Sequence, residues 1–286
     1  MYTDKQSYRA KLVEEVMNYR FHASSLGELM AWKEEPLTPN QQETLKKLEE
    51  KINNGKELTL RQKETITDLY EKLRRGPSLT SGGKTALRKI LKEIIFGYKY
   101  EVYAKYANKG TYVEDDSIDL YNRYKGTNYT KNDKRFTNDI LTGEPDIIDE
   151  DNKLIIDIKS SWTADTFPLF DNKLPSTRYE WQLKAYMYLL GYTEGKVVYV
   201  LTNTPEFIVQ DELYKWANAH NVLDIPDEVE EYIRSKHNYD DVPLPLRIKE
   251  FSVFLYPEDI KKIEKTDKLA RNFLIQEIDR IIETLK

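Results

Sequence analysis

The sequence predicts an α/β fold in which a central mixed β-sheet is flanked by helices. Three observations carry that expectation. Two short extended stretches, Gly143-Glu144-Pro145-Asp146 and Ile155-Ile156-Asp157-Ile158-Lys159, flank the turn-forming Glu150-Asp151-Asn152 and read as neighbouring strands. Helical periodicity brackets them, at residues 109–125 before and 178–190 after. A third apolar run, Val197-Val198-Tyr199-Val200-Leu201, completes the order helix, strand, strand, helix, strand. That order is the pattern of a sheet covered by helices.

Taken from the N-terminus, residues 4–20 read as a helix with Leu12, Val13, Val16 and Tyr19 on one side. Ser25 and Glu28 have capping-box spacing and predict a helix start. Residues 38–75 predict a helical hairpin inserted into the domain. Thr38-Pro39-Asn40-Gln41 supplies a cap, a first-turn proline and a capping-box glutamine, and Thr59-Leu60-Arg61-Gln62 opens the second helix in the same way. Leu45, Leu48 and Ile52 stripe the first helix, which Asn53-Asn54-Gly55 ends; Ile66, Leu69, Tyr70 and Leu73 stripe the second. Ser81-Gly82-Gly83-Lys84-Thr85 imitates a nucleotide-binding loop. Ser78 stands where that loop needs a glycine and the sequence shows no strand before it, so the stretch reads as a plain linker or, second, as a basic loop touching a phosphate. Residues 85–107 predict a helix with Ile90, Leu91, Ile94, Ile95 and Tyr98 on its stripe, and 109–125 a helix with Val113, Ile118 and Tyr121 toward the core. Beyond the sheet, 206–220 and 226–237 predict acidic helices and 248–256 alternates like a strand. The C-terminal helical stretch carries Ile260, Ile263, Leu274, Ile278 and Ile281. The whole chain, 1–286, reads as one domain with its core at 110–203 and an acidic segment at 205–245.

Composition narrows the function classes. The 286 residues carry 44 Lys and Arg against 49 Asp and Glu, a net charge of −5. The average hides an uneven distribution. Residues 37–100 hold 14 basic and 8 acidic side chains, and residues 205–245 hold 3 and 10. Arg123 to Phe136 mixes basic and aromatic residues, a composition suited to tracking a nucleic-acid backbone. The chain has no cysteine, which excludes disulfides, thiolate zinc sites and cysteine-ligated iron–sulfur clusters. Its three histidines lack metal-ligand spacing. No apolar run is long enough to span a membrane and the N-terminus does not read as a signal peptide, which predicts a cytoplasmic protein.

The strand pair carries the chemistry. Asp157 and Lys159 are two apart and share one strand face, with Ile156 and Ile158 on the other. A hairpin brings Asp146 beside Asp157. Two facing carboxylates repel unless a cation lies between them, and oxygen ligands of this kind suit Mg²⁺ or Mn²⁺. A lysine beside them has its charged form favoured, and it can orient or help deprotonate an attacking water.

These residues resemble a known family. Pro145-Asp146 with Asp157-Ile158-Lys159 is similar to the PD-(D/E)xK nuclease signature. Glu180-Trp181-Gln182-Leu183-Lys184-Ala185-Tyr186 resembles the Gln-xxx-Tyr element of the branch holding RecB nuclease domains and phage lambda-type (YqaJ-like) exonucleases. Gly110-Thr111-Tyr112-Val113-Glu114 resembles that branch's helical Gly-xxx-Glu. The resemblance covers residues 21–203 with gaps. It implies a restriction-endonuclease-like core and a DNA nuclease, either a phage-type exonuclease acting on double-stranded ends or an endonuclease. A DNA-end-binding module without catalysis is the reading from another class. One or two Mg²⁺ or Mn²⁺ ions would be held by Glu114, Asp146, Asp157 and the Ile158 carbonyl. Asp146, Asp157, Lys159 and Gln182 form the expected catalytic set. In lambda-type exonucleases an Arg and a Ser near the N-terminus grip the 5′ phosphate; Ser24 is the closest match and Arg20 the candidate Arg. Lys131, Lys134, Arg135, Ser160, Trp162 and Tyr186 complete the expected DNA contacts. The aromatic loop after Trp162, with Phe167, Pro168 and Phe170, is expected either to cover or wedge a DNA end or to pack on the domain as a hydrophobic lid. DNA is the expected partner, with a phage single-strand annealing protein and a homo-oligomer as further expectations.

Overall fold

A computed structural model describes residues 5–30, 32–33, 37–75, 77–98 and 105–285. In chain order the elements are α1 (Lys5–Asn18), β1 (Phe21–His22), a 3-10 turn (Ala23–Ser25), α2 (Leu26–Leu29), β2 (Trp32–Lys33), α3 (Pro39–Asn53), α4 (Leu60–Arg75), β3 (Ser78–Leu79) and α5 (Ser81–Phe96). There follow α6 (Lys105–Tyr112), α7 (Glu114–Lys125), β4 (Phe136–Thr137), β5 (Leu141–Gly143), β6 (Ile147–Asp149), β7 (Leu154–Ser160), α8 (Thr177–Leu190) and β8 (Glu194–Val200). The chain closes with α9 (Glu206–His220), α10 (Asp227–Ser235), β9 (Ile248–Phe254) and α11 (Pro257–Thr284). It divides into two compact units. One comprises residues 1–19, 28–98 and 262–286, the other 20–27 and 99–261.

The first unit is helical apart from the short antiparallel pair β2–β3, in which Trp32 stands opposite Leu79. Its hairpin, α3 and α4, forms where the capping boxes placed it. Thr38 Oγ1 accepts from the Gln41 N–H while the Gln41 side chain accepts from the Thr38 N–H. Thr59 and Gln62 repeat the exchange. The hairpin buries Leu45, Leu48, Ile66 and Leu69 with Leu37. Ile52, Tyr70 and Leu73 extend the stripes but stay exposed, because that small core is already closed. The nucleotide-loop imitation is the first turn of α5: Thr80 Oγ1 caps the Gly83 N–H at 3.3 Å. α5 stops at Phe96, where Gly97 takes the left-handed conformation (φ 71°), short of the expected 85–107. Residues 99–104 of that expectation lie outside the described residues. A short helix, α2, starts directly after Ser25 as the Ser25–Glu28 spacing predicts, and Ser25 itself closes the preceding 3-10 turn.

The second unit holds the sheet β6-β7-β8-β9. β6 and β7 are antiparallel, with Ile147 opposite Ile156; β7 and β8 are parallel, with Lys159 beside Tyr199; β8 and β9 are antiparallel. A smaller sheet, β1-β5-β4, joins strands about 120 residues apart through Phe21 and Leu141. One face of the main sheet packs Ile156, Ile158, Val198 and Val200 against Ile118, Leu120 and Tyr121 of α7. The other face meets α8, whose Leu183 sits on Gly195; a Cβ there would lie 3.0 Å from three Leu183 carbons, so glycine permits the approach. The expected single helix over 109–125 breaks at buried Val113 into α6 and α7.

Candidate active site

The β6–β7 hairpin has a locally specified turn. Asp149 accepts from the Asn152 N–H at 3.0 Å and from Asn152 Nδ2 at 2.9 Å, and Lys153 takes a left-handed φ of 51°. Extending the register from Ile147–Ile156 sets Asp146 opposite Asp157. Asn132 fixes the approach to Asp146. Its N–H donates to the Asp146 carbonyl (2.7 Å) and its Nδ2 to the Pro145 carbonyl (2.9 Å). The basic segment after α7 therefore acts in part as a clamp on the strand that delivers Asp146.

Asp157 is fully buried. Its Oδ1 accepts from Gln182 Nε2 at 3.3 Å, and the same nitrogen lies 3.1 Å from the Tyr186 hydroxyl. Its Oδ2 has the Lys159 ammonium 2.7 Å away. Among the described residues, Oδ2 has no partner besides that ammonium. Asp146 keeps partial access to the cleft, and its Oδ2 accepts from the Ile158 N–H at 2.7 Å. Burial, then the charge of Asp157, pushes the Asp146 carboxyl up to about 7. Burial also raises Asp157, against the pull of Lys159. Burial works to lower Lys159, but Asp157 and Asp146 together outweigh it and hold the ammonium above the ordinary lysine range. Held so, the ammonium donates hydrogen bonds and compensates the charge of the two carboxylates.

These groups open on a cleft of about 550 Å³. Glu114, Asp146, Ile158, Lys159, Ser160 and Trp162 of the expected set line it. Asp157, Gln182 and Tyr186 are buried residues joined to Lys159 through the contacts above. Glu114 is turned to Lys131, 2.8 Å from its ammonium. Among the described residues, no three Asp, Glu or His side chains converge as a ready metal cage. Ser160 Oγ sits 2.8 Å from Ser117 Oγ. Arg135 pairs with Glu144 at 2.8 Å, while Lys134 is exposed. Ser24 is exposed on the 3-10 turn and Arg20 lies 3.8 Å from Asp139; neither lines this cleft. Phe170 is exposed on the loop after Trp162, and Phe167 is buried.

Sequence reasoning passed over Tyr179 and Tyr199, which also line the cleft. Lys159 Nζ lies 4.8 Å from the Tyr179 ring centroid, a cation–π contact that fixes the ammonium's direction. Tyr199 is the one aromatic in the otherwise aliphatic run Val197–Leu201, and the parallel register sets it beside Lys159. That break in the run was its available signal.

The residues fit a divalent cation in one respect that the structure itself shows. Two carboxylates are held together at raised pKa, and one buried oxygen, Asp157 Oδ2, has the Lys159 ammonium as its one partner among the described residues. A cation is the group that would relieve both.

Solved structures share the fold. A phage-related exonuclease from Haemophilus somnus 129PT matches with a TM-score of 0.63 at 24% identity, over 92% of this chain and 97% of its own. An alkaline exonuclease from Laribacter hongkongensis matches with a TM-score of 0.53 at 12% identity, over 95% of each chain. Likeness at these identities shows a common fold. No protein-family model matches the chain, and no curated protein matches it in sequence.

Proposed function

We propose that this protein is a metal-dependent deoxyribonuclease that hydrolyses phosphodiester bonds from the ends of double-stranded DNA. One observation carries the reading. Asp146 and Asp157 converge beside the Lys159 ammonium at an open cleft, with Asp157 Oδ2 buried and met, among the described residues, by that ammonium alone. A fold needs no such arrangement, because burying it costs free energy that an apolar strand avoids. The two proteins of like fold are both described as exonucleases, and the reading extends that description to this chain.

Asp146 and Asp157 would hold the cation, with Glu114 and the Ile158 carbonyl as the further donors that the family resemblance gives. When bound, Mg²⁺ or Mn²⁺ supplies Lewis-acid polarisation of the phosphate. The chain's own groups do the rest. Lys159, charged and aimed by Tyr179, donates to the attacking water or a phosphate oxygen and offsets negative charge as it grows. Gln182 holds Asp157 through its amide nitrogen. Ser160 and Trp162 present the rim on which a strand would rest.

The test is digestion of end-labelled linear DNA and closed circular DNA with Mg²⁺ or with a chelator. Loss of the linear form alone, only with metal, is expected. Cutting of the circle assigns an endonuclease. Binding without cutting of either form assigns a DNA-end-binding module and removes the catalytic reading.

A further inference from the structure

We propose that Lys109 is a positioning residue: its buried ammonium gathers the carbonyls of Ser161, Trp162 and Thr202 and so fixes the rim of the cleft, and the acidic segment 205–245 braces the same rim through His237 and Tyr239. The role in DNA handling rests on the nuclease reading; the bracing of the rim does not.

Lys109 lies on α6 and is 1% exposed. Its Nζ donates to the carbonyls of Trp162 (2.7 Å), Ser161 (3.0 Å) and Thr202 (3.3 Å). Among the described residues no carboxylate stands within ion-pair distance of it. Burial draws its pKa down to about 8, with the charge of Glu212 opposing the fall. An ammonium has three protons, and here each has one carbonyl. The carbonyls come from just beyond β7 and β8, two parallel neighbours. Backbone beyond the carboxyl ends of parallel strands must leave the ladder, and its carbonyls lose their strand partners there. Lys109 supplies the donors. The next residues of α6, Gly110 and Thr111, line the cleft, as do Ser161 and Trp162. The ammonium thus ties α6 to the backbone that follows β7 and β8.

A second set of contacts reaches the same rim from the acidic segment. Trp162 has Lys109 Nζ 5.9 Å from its ring centroid, and the His237 ring meets it edge-on at 6.4 Å and 86°. His237 is itself buried and held at both nitrogens, Nδ1 by Thr204 Oγ1 at 2.9 Å and Nε2 by Glu212 Oε2 at 3.0 Å. Tyr239 accepts from the Ala164 N–H at 3.1 Å and donates to the Lys236 carbonyl. Residues 161–164 are therefore held from α6 and from the acidic segment, while the Trp162 ring stays partly open to the cleft. A methionine would fill the Lys109 site without a desolvated charge; what it cannot do is orient three carbonyls.

The experiment compares wild type with Lys109→Met and Tyr239→Phe, by amide hydrogen exchange and by DNA-end binding and cleavage. Lys109→Met should speed exchange of amides 161–166 by about tenfold or more, with amides 155–158 and 197–199 unchanged. Tyr239→Phe, a change too small to prevent folding, should speed Ala164 and its neighbours in the same direction. The dissociation constant for DNA ends should rise severalfold while the rate for bound DNA falls less than about threefold. Unchanged exchange over 161–166 in both variants overturns the proposal, as does a uniform increase across the sheet. A selectively loosened rim in a protein whose wild type neither binds nor cuts DNA leaves Lys109 in its role and removes the nuclease reading.

Discussion

Replacing Lys159 with methionine removes one charge and keeps most of the side-chain volume, and its effect follows from what Asp157 would be left with. That carboxylate is fully buried, has one amide donor at 3.3 Å on Oδ1, and on Oδ2 has only the ammonium at 2.7 Å. Breaking a buried ion pair from one side costs about 3–5 kcal/mol, because the remaining charge is uncompensated. Lys159 keeps 18% exposure toward the cleft, so water can reach the gap and the low end, about 3 kcal/mol, is expected. At about 2–4 °C per kcal/mol for a chain of this size, metal-free protein should melt about 6–12 °C lower. Asp157→Asn in the same background removes the stranded charge and should recover most of that loss. Urea unfolding of the four proteins in chelator closes the cycle. An additive cycle, with Lys159→Met costing under about 0.5 kcal/mol, refutes the compensation described here. The same variant reports on chemistry. Single-turnover cleavage should fall by about two to four decades, while DNA affinity in Ca²⁺ changes little. Lys159→Arg should not restore the rate, because a planar fork does not replace a compact ammonium.

Asp146 gives a pH signature. Its folded pKa is raised to about 7, so ionising it opposes folding. The cost begins above the unfolded value of about 4, grows until about pH 7, and then stays constant. Asp146→Asn should therefore raise the melting temperature of metal-free protein at pH 8 and leave it little changed at pH 4. Partial access to cleft water limits the gain to about 1–2 kcal/mol, or about 2–8 °C; equal gains at both pH values contradict the assignment. DNA affinity should weaken steeply with salt. Lys134→Gln should lower the slope by about 0.9, whereas Lys131→Gln and Arg135→Gln should lower it less, since each already faces a carboxylate; equal slopes for all three oppose this. Gly143→Ala should destabilise by about 1–3 kcal/mol and slow cleavage. Its new Cβ would stand 2.7 Å from Tyr186 Cε1 and 2.8 Å from Ala23 Cβ; a stable variant with the wild-type rate shows that Tyr186 does not transmit the strain.

The turn and the second strand at the site were legible because two local signals agree: turn formers at 150–152 and isoleucines alternating with Asp157 and Lys159. The first strand was misplaced: β6 is Ile147–Asp149, and Gly143-Glu144-Pro145-Asp146 ends β5 and links it to β6, so Asp146 stands just before the strand and not on it. The paired capping boxes of α3 and α4 were legible, since each is complete within four residues. Lys109 was not. Its three acceptors lie 52, 53 and 93 residues away, and nothing within a helical turn marks a lysine as buried. The two- and three-residue strands of the smaller sheet carry too few positions to show a period, and Phe21 meets Leu141 only through tertiary packing. The apolar stripe after Leu91 masked the stop at Gly97, although the glycine itself was a plain signal. Ile52, Tyr70 and Leu73 show the opposite error: periodicity marks a face, and the partner decides how far along that face burial extends.

Burial of β7 on both faces has a consequence for the fidelity of folding. A slip of one residue against β6 or β8 would turn Asp157 and Lys159 toward Ile118, Leu120 and Tyr121, and would carry Ile156 and Ile158 to the side of Gln182. A charge set among those side chains would meet no amide, ammonium or N–H of the kind now arranged around it. The slipped chain is therefore not a slow variant of the working one; it is a chain that does not finish folding. Molecules that reach the compact state share one arrangement of Asp146, Asp157 and Lys159, and proofreading of that arrangement is done by the same charges that the chemistry would use.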